Sequence, residues 1–373
     1  MTKQEQKAAF YDGTKLLSLT DINREKPELY MCTTNRSAGK TTYFGRLLVN
    51  NFLKNGKKFC LIYRFDYELK DVSDKFFKDI GSLFFPYFIM TSKCMSKGVY
   101  YELFIQSPGW EEPKSCGYAI ALNKADQVKR LSHLFSDTQA MLFDEFQSET
   151  NHYCPNEVQK FISVHTSIAR GQGKQVRYLP VYMLSNAVTL LNPYYAALGV
   201  SKRLTPNTKF LRGEGWVLEQ GYNDTAAEAQ KSSAFNRAFN NEKYVGYAAT
   251  NSYLNDNSAF IDKVSGQSKY LCTLKYDGKQ YAIREYPETG VIYCDDRPDT
   301  TFPYKITVTS EDHDINYVML KRNDLFLAQL RWYFEKGCFR FRDLKCKEVI
   351  LSALSYLEYL HMLLVLHLQD RTP

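Results

Sequence analysis

The chain has 373 residues, 44% of them hydrophobic and 15% aromatic, and this composition excludes a disordered tail and favours two globular domains. Its formal net charge of +7 is compatible with a polyanionic partner but is not enough to prove one. Nine scattered cysteines without a Cys-x-x-Cys pair argue against a disulfide framework and a zinc site, and they indicate a reducing compartment.

The first predicted strand, Leu29–Cys32, leads into a short loop that ends in Gly39-Lys40-Thr41, and hydrophobic residues then recur at helical spacing. A strand, a tight loop ending in Gly-Lys-Thr and a helix are typical of P-loop NTPases. In such a loop the backbone amides face the phosphates, the lysine reaches the β and γ oxygens, and the threonine hydroxyl binds Mg²⁺. The residues predicted to contact the nucleotide are Thr34, Asn35, Arg36, Ser37, Ala38, Gly39, Lys40, Thr41 and Thr42.

This loop departs from the consensus at one position, because Thr34 stands where the first glycine is expected. A surface turn with a chance Gly-Lys-Thr is therefore an alternative. Predicted strands follow at 59–64, 87–91, 100–106 and 118–122, with predicted helices at 67–77 and 128–135.

A second motif consists of the hydrophobic run Ala140–Phe143 and the two acids that follow it, Asp144 and Glu145. In an NTPase such a strand supplies a metal-site carboxylate and a base for water. We predict that Asp144 holds Mg²⁺ through water and that Glu145 polarises the attacking water. The alternative for two acids at a strand end is a helix N-cap, but the two motifs in this order indicate an NTPase.

Two further residues at the ends of predicted elements are candidates for the same chemistry. Asn186 closes the predicted strand 177–184 and is a candidate to contact the γ-phosphate or its water, although a plain turn residue is the alternative. Arg170 ends the predicted helix 156–170, where the helix dipole favours a cation in any case. The functional interpretation is an arginine that acts on the site of a neighbouring subunit. The alternation of strands and helices predicts a mostly parallel α/β sheet.

From about residue 204 the composition changes. Residues 205–221 are mixed, and residues 223–241, rich in small and polar side chains, predict a helical lid or linker. Strands at 270–276 and 280–286 flank a hairpin turn at Asp277-Gly278, a third strand covers 291–294, and helices cover 324–335 and 344–366. The run 349–368 carries Glu358 and two histidines, so we predict a packing helix and no membrane span. The predicted domains are 1–221, 222–252 and 253–373.

The motifs together resemble the DNA encapsidation protein of small protein-primed podophages, the packaging ATPase of the Picovirinae type. The resemblance runs through most of the first domain and, more weakly, through 270–296 and 337–341. The segments that carry it are Thr34–Thr41, Phe143-Asp144-Glu145-Phe146, Pro155-Asn156-Glu157-Val158, Leu184-Ser185-Asn186-Ala187-Val188 and Asn192-Pro193-Tyr194.

The resemblance implies an ASCE, terminase-like P-loop fold and a ring of five identical subunits at the portal vertex, which uses ATP and Mg²⁺ to drive double-stranded DNA into a prohead. It places the phosphate-binding lysine on Lys40, the metal-site aspartate on Asp144, the catalytic glutamate on Glu145 and the trans-acting arginine on Arg170. A further basic residue between subunits matches Arg130, although Lys129 is adjacent.

The family's second trans-acting cation, a lysine, is replaced here by Asp66, so that role is unfilled or has moved to Arg64 or Lys70. The implied location is the host cytoplasm, transiently on the prohead and not in the mature virion. A preference for adenine is implied as well, since no guanine-reading Asn-Lys-x-Asp follows the acidic strand.

The C-terminal domain resembles a ribonuclease H-like nuclease that has lost its chemistry. Its first strand, Tyr270–Tyr276, has no carboxylate, and Asp295 and Asp296 without that partner do not make a two-metal site. The resemblance implies a nucleic-acid-binding module that contacts the packaging RNA ring and the portal or connector. The local basic cluster, equally well explained as a solvated helix face, is Arg340, Arg342, Lys345 and Lys347. Rival hypotheses are a large terminase with a working nuclease, another DNA-dependent translocase, and a binding module with an inactive P-loop.

Overall fold

The computed structural model describes residues 10–355 except 71, 150–151, 172, 174, 190–191, 201–202, 205–207, 240–259 and 321–323. The chain divides into two compact units, Met1–Asn255 and Asp256–Pro373. The predicted boundary at 252–253 and part of the predicted linker lie outside the described residues, so these bounds stay predictions.

In its described part, the first unit contains a nine-stranded sheet in the order β3-β4-β5-β2-β6-β7-β1-β9-β8. The strands are β1 (Leu29–Thr34), β2 (Lys58–Tyr63), β3 (Ile89–Met95), β4 (Tyr100–Gln106), β5 (Lys114–Ala121), β6 (Thr138–Asp144), β7 (Val181–Asn186), β8 (Phe210–Gly213) and β9 (Trp216–Gln220). In this order, the six neighbouring strands β5-β2-β6-β7-β1-β9 are all parallel to one another. Strands β3 and β4 at one edge and β8 at the other edge pair in antiparallel fashion. The predicted parallel-rich sheet is confirmed, and β8 and β9 were missed.

The helices of this unit cover both faces of the sheet. They are α1 (Thr14–Ser18), α2 (Lys40–Asn55), α3 (Val72–Phe84), α4 (Ala125–Arg130), α5 (Glu157–Ile168), α6 (Pro193–Ala197), α7 (Asp224–Ser232) and α8 (Ala234–Ala238). The predicted helix 67–77 is instead a 3-10 turn at Asp66–Leu69 followed by α3. The predicted lid lies on α7 and α8 as far as residue 238.

The core lies in two layers because the side chains of each central strand alternate between the faces. Tyr30 and Cys32 of β1 join the layer packed with α2 and α3, whereas Met31 joins the layer packed with α5. Since both faces are covered, these strands are continuous hydrophobic runs. The polar residues of these strands lie at the carboxyl ends. There Thr34 of β1 is opposite Asn186 of β7 in the strand register, and Asp144 of β6 is opposite Leu184 of β7. That edge is where open parallel sheets bind ligands.

The second unit contains a six-stranded sheet in the order β14-β13-β10-β11-β12-β15. Its elements are β10 (Lys269–Tyr276), β11 (Lys279–Tyr286), β12 (Val291–Asp295), β13 (Lys305–Thr307), β14 (Val318–Met319), α9 (Leu325–Glu335), β15 (Phe339–Phe341) and α10 (Leu344–Ser355). The first three strands form an antiparallel meander, and β13 and β14 continue in parallel beside β10. This arrangement agrees with the predicted ribonuclease H-like fold.

The hairpin between β10 and β11 shows how the local sequence sets this sheet. Asp277 has φ 52° and Gly278 has φ 69°, the left-handed pair that a two-residue hairpin turn requires. The last predicted helix is described only as far as Ser355, and residues 356–368 of the predicted packing helix lie outside the described residues. Among the helices that the structure describes, none has both the length and the apolar character needed to cross a bilayer.

Candidate nucleotide-binding and catalytic site

The loop between β1 and α2 has the geometry of a phosphate cradle. Ser37 and Gly39 have φ 60° and 90°, so the chain turns sharply and its amides precede the first turn of α2. Successive amides in such a turn, together with a helix N-terminus, attract an anion. A Cβ at Gly39 would lie 2.8 Å from the Phe10 ring, so a glycine fits this position for both space and backbone reasons.

Lys40 opens α2 and lies in the cleft with only 8% of its surface exposed. Its Nζ donates a 2.7 Å hydrogen bond to Oδ1 of Asn186, so the structure brings these two predicted residues together. Burial lowers the pKa of Lys40, and the nearby Asp144 carboxylate opposes that shift. A cationic phosphate partner at this point fits a triphosphate ligand.

Thr41 and Asp144 meet across the same cleft. The Thr41 hydroxyl donates to Oδ2 of Asp144 at 2.8 Å, and the backbone N–H of Glu145 donates to Oδ1 of Asp144 at 3.0 Å. Burial raises the pKa of Asp144, while Lys40 and the Thr41 hydrogen bond act in the opposite direction. A hydroxyl beside one carboxylate fits Mg²⁺, which takes few protein ligands besides phosphate and water.

Glu145 follows β6 with φ 55°, a conformation that a residue with a side chain adopts at a cost in free energy. It borders a pocket of about 270 Å³ together with Asn186, Arg36 and Glu149. Partial desolvation by the surrounding protein raises its pKa, and the neighbouring carboxylates Asp144 and Glu149 raise it further. A carboxylate of raised pKa beside the phosphate loop is suited to accept a proton from water.

The other predicted loop residues have different surroundings. Thr34 is buried and donates to the carbonyl of Asn35, and Ala38 is buried with its carbonyl accepting from the Tyr11 N–H. The Asn35 side chain exchanges two hydrogen bonds with the backbone of Asn223, at 3.0 and 2.9 Å. The side chains at these three positions are therefore buried or bonded within the protein.

The remaining side chains of the loop lie nearer its surface. The Arg36 guanidinium binds the Glu149 carboxylate, and Thr42 is half-buried on the first turn of α2. The Ser37 hydroxyl accepts a 3.0 Å hydrogen bond from Gln230 of α7, so the predicted lid directly contacts the phosphate loop. The Arg36–Glu149 pair was missed, because no motif marks Glu149.

Two predicted intersubunit cations, Arg170 and Arg130, are not among the described residues that border the pocket beside Glu145. Arg170 is exposed one residue beyond the C-cap of α5, and Arg130 is exposed at the end of α4. Lys129 pairs with Asp126 at 2.8 Å, so Arg130 is the more available of the two neighbours. Arg177, a nearby arginine, does not fit this role, because its buried guanidinium donates to the carbonyls of Thr138 and Ile168.

The suggestion that Arg64 replaces the family's trans-acting lysine is also wrong. Arg64 is 8% exposed and pairs with Glu157 at 2.9 Å, next to the turn that carries Glu145, so it is committed within its own subunit. Asp66 accepts from Asn123 at 2.8 Å and pairs with Lys124, which leaves exposed Lys70 as the remaining candidate. The Arg64–Glu157 pair was missed, although Glu157 lies within the motif 155–158.

In the second unit the two neighbouring acids at the end of β12, Asp295 and Asp296, are each paired with an arginine. Asp295 pairs with Arg284 at 3.0 Å, and Asp296 pairs with Arg342. Nowhere in the described part of the chain do three His, Cys, Asp or Glu side chains form a metal-binding group. Both acids are therefore held by arginines, and the loss of two-metal nuclease chemistry stays a prediction.

The comparisons with known proteins agree with the geometry. The family model described as Podovirus DNA encapsidation protein (Gp16) matches residues 5–356. The DNA packaging protein of Bacillus phage phi29 is 25% identical over 339 residues, covering 90% of this chain and 94% of that protein. That of Bacillus phage B103 is 23% identical over 312 residues, covering 82% and 90%.

Two solved packaging motors share the fold. The chain in the bacteriophage Phi-29 viral genome packaging motor assembly has a TM-score of 0.56 and 24% identity, covering 93% of this chain and 98% of that one. The chain in the Phi-28 gp11 DNA packaging motor has a TM-score of 0.57 and 18% identity, covering 94% and 98%. The phosphate loop, the acidic strand end and the match over most of the length lead to one conclusion: this chain belongs to the podovirus DNA encapsidation protein (Gp16) family.

Proposed function

We propose that this chain is an ATPase that packages double-stranded DNA into a phage prohead. The observation that carries the proposal is the convergence of Lys40, Thr41, Asp144, Glu145 and Asn186 at one sheet edge, in a member of a DNA encapsidation family. ATP is the proposed substrate. Thr41 and Asp144 would hold Mg²⁺, which neutralises developing charge on the phosphates.

The chain's own residues account for the hydrolytic step. Lys40 places a positive charge against the β and γ oxygens, and the loop amides orient the phosphates for in-line attack. Glu145, with its raised pKa, accepts the proton of the attacking water. Asn186 holds Lys40 in this structure, and binding of a triphosphate would exchange that bond for a contact to phosphate or water.

A second part of the proposal concerns the assembly. Arg170 is exposed and is not among the described residues that border the pocket, so its proposed target is the site of the next subunit. Arg130, exposed at the end of α4, has a parallel role between subunits. We therefore propose a closed homo-oligomeric ring, of five subunits by family resemblance, because a ring gives every site a neighbour.

The proposed partners are double-stranded DNA, a packaging RNA ring, and the portal or connector of the prohead. The net charge of +7 favours polyanionic partners, and the ion-paired acids of the second unit favour binding over cleavage. The proposed location is the host cytoplasm, transiently at the portal vertex, without the motor remaining in the virion.

The direct test is ATP hydrolysis by the purified full chain with and without double-stranded DNA. We expect Mg²⁺-dependent hydrolysis that DNA stimulates and that addition of EDTA abolishes. Absence of hydrolysis in the presence of DNA, proheads and packaging RNA would contradict the proposal. Hydrolysis that DNA, proheads and RNA leave unchanged would contradict the packaging role alone.

A further inference from the structure

Arg64 lies beneath the turn that carries Glu145. It follows β2 directly, and its guanidinium donates to two successive carbonyls of that turn. The bond from Nη2 to the Phe146 carbonyl is 2.8 Å, and both terminal nitrogens lie 3.3 Å from the Glu145 carbonyl. A single planar donor group thus binds two consecutive peptide groups of the turn.

The guanidinium is itself held by Glu157, the first residue of α5. Arg64 Nε binds Oε2 of Glu157 at 2.9 Å, and the Cys154 N–H binds the same oxygen at 2.8 Å. The other carboxylate oxygen accepts from the Tyr194 hydroxyl at 2.8 Å. Arg64, Glu157 and Tyr194 are all buried. A buried ion pair whose members are fully hydrogen-bonded is rigid, because any displacement leaves a charge without partners.

The turn needs such support because of its backbone. Glu145 has φ 55°, a conformation that costs free energy for a residue with a side chain and persists only where the surrounding structure supports it. The Phe146 N–H binds the Leu184 carbonyl at 3.1 Å, which ties the far side of the turn to β7. The carbonyls of Glu145 and Phe146 accept from Arg64. Together these bonds determine the direction in which the Glu145 side chain leaves the turn.

We propose that Arg64 is a positioning residue for Glu145: held by Glu157, it fixes the catalytic turn so that the carboxylate points into the pocket. The inference rests on the proposed function, in which Glu145 activates water. Arg64 also borders the pocket. Its three nitrogens are already bonded to Glu157 and to the turn, so it acts through the backbone and not on the phosphates.

The test is the variant Arg64→Lys in the full chain. An ammonium preserves the charge opposite Glu157, but it lacks the fork that reaches both carbonyls. We expect kcat for ATP to decrease about tenfold to a hundredfold, the effect typical of losing a group that orients a catalytic residue. We expect the KM and the affinity for a nonhydrolysable ATP analogue to stay within about twofold of wild type.

The matched control is Arg177→Lys. Arg177 is as buried as Arg64 and also donates to two carbonyls, those of Thr138 and Ile168. Thr138 is the first residue of β6, whereas Glu145 follows the last residue of that strand. Both variants should lower the melting temperature, and Arg177→Lys should keep kcat within about twofold of wild type. An equal loss of kcat in the two variants would show a general structural effect and overturn the inference.

Other outcomes separate the remaining explanations. Wild-type kcat in Arg64→Lys overturns the positioning role, and loss of nucleotide affinity equal to the loss of kcat shows a direct phosphate contact instead. If Arg64→Lys does not fold, Tyr194→Phe removes one donor to Glu157 and should still lower kcat about threefold at unchanged affinity. Unchanged kcat in that variant then overturns the inference. Failure of the wild-type chain to hydrolyse ATP would contradict the proposed function itself.

Discussion

A pair of neighbouring acids lies at the end of a strand in each unit of this protein, and the surroundings of the two pairs differ. Asp144 accepts a hydrogen bond from Thr41, Lys40 lies near both acids, and Glu145 borders a pocket. Asp295 and Asp296 each lie against an arginine, Arg284 and Arg342. The same local pattern therefore gives a catalytic candidate in one unit and a structural ion pair in the other. The difference is that an arginine binds each carboxylate directly in the second unit, whereas in the first unit Asp144 binds the Thr41 hydroxyl and Lys40 binds Asn186.

The strongest way to break this comparison is Glu145→Gln against Asp296→Asn. Glu145→Gln should reduce kcat for ATP about a thousandfold while nucleotide binding is kept, because the phosphate contacts survive and the water loses its base. Asp296→Asn should leave ATP hydrolysis unchanged. Steady-state hydrolysis and equilibrium binding of a fluorescent nucleotide measure both. Wild-type turnover in Glu145→Gln would show that the base is misassigned.

Arg170→Ala sharpens the comparison by asking whether the catalytic acids also need a cation from elsewhere. We expect about a thousandfold less hydrolysis at nearly unchanged ATP affinity, because the guanidinium acts on transition-state charge. Arg212, another exposed arginine of the first unit, supplies the control Arg212→Ala, which should hydrolyse ATP normally.

Mixing the Arg170→Ala and Glu145→Gln chains tests the trans assignment. Each variant alone should be nearly inactive. Mixed rings should recover some hydrolysis wherever a Glu145→Gln subunit presents its Arg170 to a neighbour with an intact site. No recovery in rings whose mixed composition has been verified by native mass spectrometry would leave Arg170 as a helix-end or cis residue.

Lys40→Ala should affect binding more than chemistry. Loss of the buried ammonium should weaken affinity for a nonhydrolysable ATP analogue about tenfold to a hundredfold, the effect of losing a charge-assisted hydrogen bond. Lys15→Ala, which removes an ammonium lying over the Phe210 ring, is the control and should bind normally. Calorimetric titration measures both affinities. Equal affinity in Lys40→Ala and wild type would rule out the phosphate contact.

The smallest effects are expected in the second unit. Arg284→Ala should lower the free energy of unfolding by about 1–3 kcal/mol, because buried Asp295 loses its charged partner. Arg331→Ala, which removes an exposed i,i+4 pair with Glu335, should cost no more than about 0.5 kcal/mol. Denaturant unfolding measures both changes.

Neither arginine variant should linearise plasmid DNA with Mg²⁺ or Mn²⁺, and neither should the wild-type chain. Linearisation that Asp296→Asn abolishes would revive the terminase hypothesis.

The sequence predicted the strands that run through the core more reliably than the edges. The runs at 29–32 and 140–143 are buried on both faces and are hydrophobic throughout, so composition alone identifies β1 and β6. The strands β8 and β9 were missed because residues 205–221 mix polar and apolar side chains. The short β13, β14 and β15 lack any period, since partners distant in sequence determine their pairing.

For the site, the sequence by itself determined the chemistry of the phosphate loop and the acidic strand. Both are local motifs, in which a few adjacent residues set the backbone conformation and supply the reactive groups. Tertiary structure decided which polar groups remain available. Arg64, Arg177 and Arg170 look alike in the sequence, yet two are buried against backbone carbonyls and one is exposed. A side chain's availability depends on partners from distant segments, and those partners meet only when the sheet forms.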